Sequence, residues 1–288
     1  ISGSYAVAPK SDRGPAAQAL LTPDYTNPQP YNLSYVVRLL ANGQPDPSFT
    51  SAPGGDGTIN AFAVQPADNK IVIAGTFTKF NGTFFNNLGR LKPDGTSDST
   101  FKPGSGPDAQ VNALAIQADG AIVVGGAFQN VQGLSRPYLA RVDASGALDK
   151  SFNPGVNGVV NTVALQSDGA IVIGGNFTTV GGVARNRIAR LLPTGALDTG
   201  FNPGTGANGE IVTLLVQSDR AIVAAGEFTT FAGQNRNRII RLFSNGAIDS
   251  NFSTSASAND TVVSLGLESS GNILLGGAFT QVNGTARN

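Results

Sequence analysis

Cysteine, histidine, methionine and tryptophan do not occur in the 288 residues of this chain. Their absence removes whole classes of chemistry. No thiol is available as a nucleophile or for a disulfide. No Cys/His set can hold zinc, and no imidazole can act as a general base near neutral pH. Charge is scarce as well: 13% of residues are charged, and 19 Lys and Arg balance 19 Asp and Glu. A general nucleic-acid binder needs a basic excess, and so does a surface that clings to an anionic membrane. No apolar run reaches the length of a membrane-spanning helix, so no membrane insertion is expected. The chain opens Ile1-Ser2-Gly3. That start is expected of a processed product or an excerpt, from which an export signal would already be gone.

The apolar fraction is an ordinary 40%, with 37 glycines between the apolar runs. A disordered chain would be more charged and less apolar. Short strands joined by tight turns fit this balance. Internal repetition accounts for most of the sequence. Arg38, Arg90, Arg141, Arg190 and Arg241 recur at a spacing of about fifty residues, a propeller-blade length. Each is followed by an Asp (Asp46, Asp98, Asp149, Asp198, Asp249) and then a Phe (Phe49, Phe101, Phe152, Phe201, Phe252). A second block, Ile-Val-Ile-Gly-Gly-Asn-Phe in its 171–177 copy, ends in Phe77, Phe128, Phe177, Phe228 and Phe279.

Each repeat reads as four antiparallel strands. In the third copy these are 160–166, a buried strand over 170–175, 187–192 and 196–201. The turns after strands one and three are short, with Asp168-Gly169 placed as a tight hairpin. The loops after strands two and four share the other face and vary between copies. The expected fold is therefore all-β: a five-bladed β-propeller of four-stranded antiparallel blades. An unmatched third and fourth strand near 34–49 would pair with the last C-terminal strands and close the ring, removing exposed edges. On this reading residues 34–288 form the propeller, and the Pro-rich residues 1–33 form an N-terminal linker or cap.

The pattern is Gln166-Ser167-Asp168-Gly169, Gly174-Gly175-Asn176-Phe177, Ile188-Ala189-Arg190-Leu191, Gly195-Ala196-Leu197-Asp198 and Phe201-Asn202-Pro203-Gly204. It resembles the bacterial delta-60 repeat. Its blade grammar is similar to that of kelch propellers, without their Tyr and Trp positions, and to that of fungal cell-polarity marker propellers. The resemblance covers residues 34–288. It implies a secreted or cell-surface bacterial protein, part of a larger multidomain adhesin or glycan-handling lipoprotein, with no general assigned activity.

Departures from the repeat are the candidate sites, because a scaffold contact recurs in every blade whereas a binding site breaks symmetry. By the same logic the repeated Arg and Asp are scaffold, and the repeated Phe are core. In the long loops, Arg136, Arg185, Arg236 and Arg287 form a second arginine series, joined by Arg187 and Arg238. The first copy replaces it with Phe84 and Phe85. Together these suggest an anion-recognising rim with an aromatic platform. The column after the Gly-Gly step reads Thr76, Ala127, Asn176, Glu227 and Ala278. Asn176 and Glu227 could reach a central pocket, and Glu210 is the second acid close by. Single Asp-Gly pairs lack the alternating oxygen ligands of a calcium loop. Neither a metal site nor a cofactor is expected. The sequence thus points to a non-enzymatic binding or scaffold module that holds a glycan or a protein on the long-loop face. The alternatives are a glycoside-acting enzyme centred on Glu227, since such enzymes use paired carboxylates, and a structural spacer.

Overall fold

The computed structural model describes residues 35–252 and 257–287, so the 1–33 segment lies outside the described residues. Five antiparallel sheets follow one another in chain order. The first blade comprises Ile59–Val64, Ile71–Gly75 and Leu88–Leu91. The second comprises Val111–Ile116, Ile122–Gly126 and Leu139–Val142. The third comprises Val160–Leu165, Ile171–Gly175 and Ile188–Leu191. The fourth comprises Ile211–Val216, Ile222–Gly226 and Ile239–Leu242. The fifth comprises Val262–Leu267 and Ile273–Gly277, with no third strand among the described residues. The described residues contain no helix, and no helix of the structure is long and apolar enough to cross a membrane.

Why these residues form strands is visible in their burial. The middle strands of blades one to four are apolar along their whole length and buried at every position. Both their faces pack against neighbouring sheets. The Gly-Gly block serves backbone proximity: a Cβ on Gly175 would stand 2.1 Å from the carbonyl oxygen of Val159. There the inner strand bulges, shifting register between Val160 and Thr162.

The sequence reading of four strands per blade needs correction. The fourth segment is held to the third by one β-bridge, such as Leu191 with Leu197. It then turns, because the Asp198 carboxylate accepts a hydrogen bond from the Gly200 N–H at 2.8 Å. An Asx turn competes with the ladder and ends the strand. The long loop after the middle strand is also more ordered than expected. It folds into a two-residue hairpin, Thr179–Val180 with Val183–Ala184 in the third blade. A bridge from Val156 to Val180 ties this hairpin to the loop that follows strand four of the preceding blade.

Most core clusters are shared by two successive blades. Val123, Leu139, Phe152 and Val156 of the second blade pack with Val160, Ile171, Ile173 and Phe177 of the third. The blades are also stitched by the repeated arginine. Arg141 bonds Asp149 of its own blade at 2.8 Å and lies 4.7 Å from the centre of the Phe152 ring. It also donates to the Pro193 carbonyl of the next blade at 2.5 Å. Arg38 and Arg90 repeat the stitch onto Pro93 and Ala144, both at 2.6 Å, and Arg190 repeats it onto Ser244. The turn that receives the stitch carries glycine at a positive φ. Gly195 has φ +95, and a Cβ there would meet the Phe152 ring at 2.6 Å.

Among the described residues the sheets do not close into the expected ring. Residues 35–49 lie against the first blade, where Val36 and Phe49 join its core. The fifth sheet is two-stranded among the described residues, and its Leu274 is exposed.

Two predictions follow from the core and the stitch. Phe201 is fully buried, so Phe201→Ala should destabilise the fold by about 3–5 kcal/mol in urea denaturation. A loss under about 1 kcal/mol would remove it from the core. The second concerns acid. Burial pushes the Asp98 carboxyl upward, but hydrogen bonds from the Thr100 hydroxyl and N–H, with Arg90 and Lys70, outweigh it and leave the pKa at about 2. Asp149 is likewise raised by burial and lowered further by Ser151 and Arg141, to about 2. These folded values lie below the usual 3.8. Their stabilisation is therefore complete above that value and drains away as pH falls toward 2. The denaturation midpoint should hold steady down to roughly pH 5 and then drop. Replacing both aspartates with Asn should flatten that drop, and an unchanged acid limb would contradict the assignment.

Candidate functional site

Inner strands begin at the long-loop face, and the second position of three of them is asparagine. The Nδ2 of Asn60 donates to the Val111 carbonyl of the next blade at 2.9 Å. Asn112 donates to the Val160 carbonyl at 3.2 Å, and Asn161 to the Ile211 carbonyl at 3.1 Å. The fourth blade ends this ladder, because Val212 takes the asparagine's place. There the Glu210 carboxylate accepts from Asn161 Nδ2 at 2.5 Å. A hydrogen-bonded row thus runs from Gln110 through Asn112 and Asn161 to Glu210 across three blades.

Glu227 completes this corner. Its N–H donates to the Glu210 carbonyl at 2.9 Å, so the two acids flank the adjoining ends of two paired strands of one blade. The Glu227 side chain is exposed, and its own carbonyl accepts from the Arg238 guanidinium. Asn176 occupies the same position one blade earlier, also exposed, with its N–H bonded to the Val159 carbonyl at 2.8 Å. Carboxylate oxygens accept and amide groups both donate and accept. The corner can therefore grip a neutral ligand with several hydroxyl groups.

The other sequence candidates fare differently. Phe85 is 2% exposed and packs in the first-blade core, directly over Gly89. It is therefore not a ligand platform: its ring fills the space left by Gly89, a position that the other blades give to Ala140, Ala189 and Ile240. Phe84 is exposed, with the Lys79 ammonium 4.4 Å from the ring centre. The loop arginines do not form a free anion-recognising rim. Arg236 is buried and donates to the Asn235 carbonyl and Gln234 Oε1. Arg136 donates to the Ser135 and Lys150 carbonyls, and Arg185 to the Ala184 carbonyl. Their stems pack and their charged heads are partly spent on backbone. Arg287 is exposed and donates to the Ala286 carbonyl.

A cleft of about 550 Å³ opens between the first and second blades, lined by Thr78, Asn86, Asn87, Ser105, Asp108 and Asn130. Asp108 is already engaged there. Burial raises its carboxyl, hydrogen bonds from Asn130 and Gln129 lower it further, and the net direction is downward. No group of His, Cys, Asp and Glu among the described residues could hold a metal ion.

The sequence reading missed the asparagine ladder. Its signal was present as a polar residue at Asn60, Asn112 and Asn161 in otherwise apolar strands. Recurrence in three blades is what a scaffold contact shows, and its termination at Glu210 is the departure.

The family described as "Domain of unknown function (DUF5122) beta-propeller" matches residues 30–49, 67–101, 117–152, 166–201 and 217–252. No curated protein sequence matches the chain. Among solved structures, the chain is similar to the WD40 β-propeller domain of Doa1, with a TM-score of 0.51 at 15% identity over 78% of this chain and 64% of that one. It is similar to a chain of the mitotic checkpoint complex, with a TM-score of 0.50 at 14% identity over 76% of this chain and 58% of that one. A gluconolactonase from Xanthomonas campestris gives a TM-score of 0.45 at 15% identity, over 76% and 69%. The chain spans less than two thirds of the first-named structure, and at these identities the likeness is one of fold alone.

The buried and the exposed phenylalanine can be separated by stability. Phe85→Ala should cost about 3–5 kcal/mol, as core truncations do. Phe84→Ala should stay within about 0.5 kcal/mol, as exposed substitutions do. Equal losses in thermal unfolding would contradict the split.

Proposed function

The chain belongs to the DUF5122 β-propeller family, and from that premise we propose that it is a non-enzymatic binding module of an exported protein. Its ligand is a neutral glycan, held on the long-loop face where the asparagine ladder ends. One observation carries this reading: the inter-blade ladder of Asn60, Asn112 and Asn161 terminates in a carboxylate, Glu210, beside the exposed Glu227. Packing does not require an acid there, since the other blades close the same contact without one. Paired acceptors beside amide donors match the donor–acceptor pattern of vicinal sugar hydroxyls. The exposed Phe84 and the cleft between the first two blades offer a second contact on the same face. Asn176, Glu227 and Phe84 remain in the site. Export rests on the likeness to repeats of secreted and surface proteins.

The expected result of a screen against neutral oligosaccharides is a hit whose affinity falls tenfold or more in Glu210→Gln and Asn161→Val. A hydrogen bond to a charged group is worth roughly 1.5–3 kcal/mol. Val already stands in this column at 212, so the second variant keeps a side chain that the fold accepts. Asp119→Asn, in a short turn on the opposite face, should bind as the parent does. Weakening by Asp119→Asn alone, or no oligosaccharide bound at all, would sink the proposal. One observation favours a second reading: Glu210 and Glu227 are a pair of carboxylates at the adjoining ends of two paired strands. Hydrolysis of an aryl glycoside that is lost in Glu227→Gln would establish that reading instead.

A further inference from the structure

On the long-loop face the loops of successive blades meet, and one residue column decides how much space is left between them. It is the residue just before the third strand: Asn87, Tyr138, Arg187 and Arg238 in the first four blades. All four have φ between 65° and 68°. The backbone therefore turns alike in each blade, and the side chains differ. Tyr138 packs against the core shared by the second and third blades, with Val156. Arg187 has a buried Nε, and Arg238 folds back onto the Glu227 carbonyl. Asn87 is the shortest of the four, and it lines the cleft of about 550 Å³ between the first and second blades. The fold accepts a ring at this position, as Tyr138 shows, so packing does not require the cleft.

The charge of the cleft is a second departure from the repeat. Asp108 is the one charged residue that lines it, and its side chain is exposed. In the scaffold Asp108 accepts the Gln129 and Asn130 N–H groups, at 2.9 and 3.1 Å. Asn157, Asn208 and Asn259 accept the same two N–H groups in the third, fourth and fifth blades, with an amide oxygen in place of a carboxylate. The turn thus needs an oxygen at 108 but no negative charge. The amides around it face inward with their donors. Asn86 Nδ2 donates to the Ser105 carbonyl and Asn87 Nδ2 to the Pro107 carbonyl, each at 2.9 Å. Asn130 Nδ2 donates to the second Asp108 oxygen at 2.8 Å. The three amide oxygens accept no bond among the described residues. Three hydrogen bonds reach Asp108, which leaves one of its roughly four lone-pair sites open.

We propose that this cleft is a separate site for an amino sugar with a free ammonium group. The ammonium sits on Asp108, and ring hydroxyls meet Asn86, Asn87 and Ser105. An ammonium offers three donors and no acceptor, which matches an open carboxylate position among amide oxygens. Its bond to the carboxylate is charge-assisted, and no Lys or Arg lines the cleft to compete for it. The second N–H of each amide and the Ser105 hydroxyl can serve the sugar's hydroxyl oxygens. The volume is that of a small-molecule pocket. The assignment rests on the long-loop face being the binding face, as proposed above, but it uses none of the acidic corner. Glu210 and Glu227 belong to the fourth blade and do not line this cleft.

The repeat supplies variants that the fold already accepts. Asp108→Asn installs the residue of the later blades, and Asn87→Tyr installs the residue of the second blade. Both should keep the parent's circular dichroism and melting profile. Calorimetric titration with the glucosamine disaccharide, its N-acetylated counterpart and n-butylamine reads the site. The parent should bind the free amino sugar about tenfold more tightly than the acetylated one, as loss of a charge-assisted bond demands. It should bind n-butylamine, which lacks the hydroxyls, more weakly than the disaccharide. Asp108→Asn should erase the preference for the free amine, and Asn87→Tyr should abolish binding of the glucosamine disaccharide. Glu210→Gln should leave that binding unchanged, so a failure of the acidic corner to bind neutral oligosaccharides is read separately. Equal binding of the two disaccharides by the parent would overturn the proposal, as would no binding of glucosamine disaccharide at all. A preference that survives Asp108→Asn and is lost in Glu210→Gln would overturn it too, by moving the ammonium to the fourth blade. Binding of n-butylamine as tight as that of the disaccharide would remove the sugar from the assignment.

Discussion

The repeated arginine is the interaction on which the remaining structure depends. In one residue it joins three elements: the Asp of its own fourth segment, the Phe ring that follows, and a turn carbonyl of the next blade. Arginine suits this position because its planar head offers five donors in a fixed fork and its face stacks on an aromatic ring. Arg90 and Asp98 are almost wholly withdrawn from water, with side chains 6% and 2% exposed. A buried ion pair gains little from Coulomb attraction alone, since desolvation offsets it. Here the remaining donors are satisfied by the Ala144 carbonyl, Gln65 and Thr100, so burial leaves few groups unpaired.

That stitch explains how successive blades hold together. Successive blades share core clusters, so the complete blades bury their apolar faces only against one another. The glycine at each receiving turn allows the previous blade's Phe segment to approach the backbone. Among the described residues, Leu274 of the fifth blade is exposed and Arg241 of the fourth bonds Asp219 and Asp249.

The candidate site arises from the same economy of contacts. Asparagine on the inner strand is a second, weaker stitch near the long-loop face, repeated across the first three blades. Where it fails, the chain places Glu210 and Glu227 instead of another packing pair. On the proposed reading, binding chemistry sits at one break in a repeated interface, with packed interface on either side of it.

What the sequence determined by itself is the local repeat. The Arg, Asp and Phe columns announced scaffold and core, because packing positions recur in every copy, and the Asp-Gly pairs announced tight turns. The alternation of short turns and long loops told which face is elaborated. The tertiary structure decided what depends on distances between blades. It placed Phe85 in the core, where the smooth Gly89 surface beneath it leaves room for a ring. It spent the loop arginines on nearby carbonyls, since those side chains reach their own backbone first. It cut the fourth strand to a single bridge, because an aspartate side chain captured the backbone. Among the described residues it also left the sheets unclosed: blade number follows from the repeat period, whereas closure depends on how the sheets pack against one another, which the period alone does not fix.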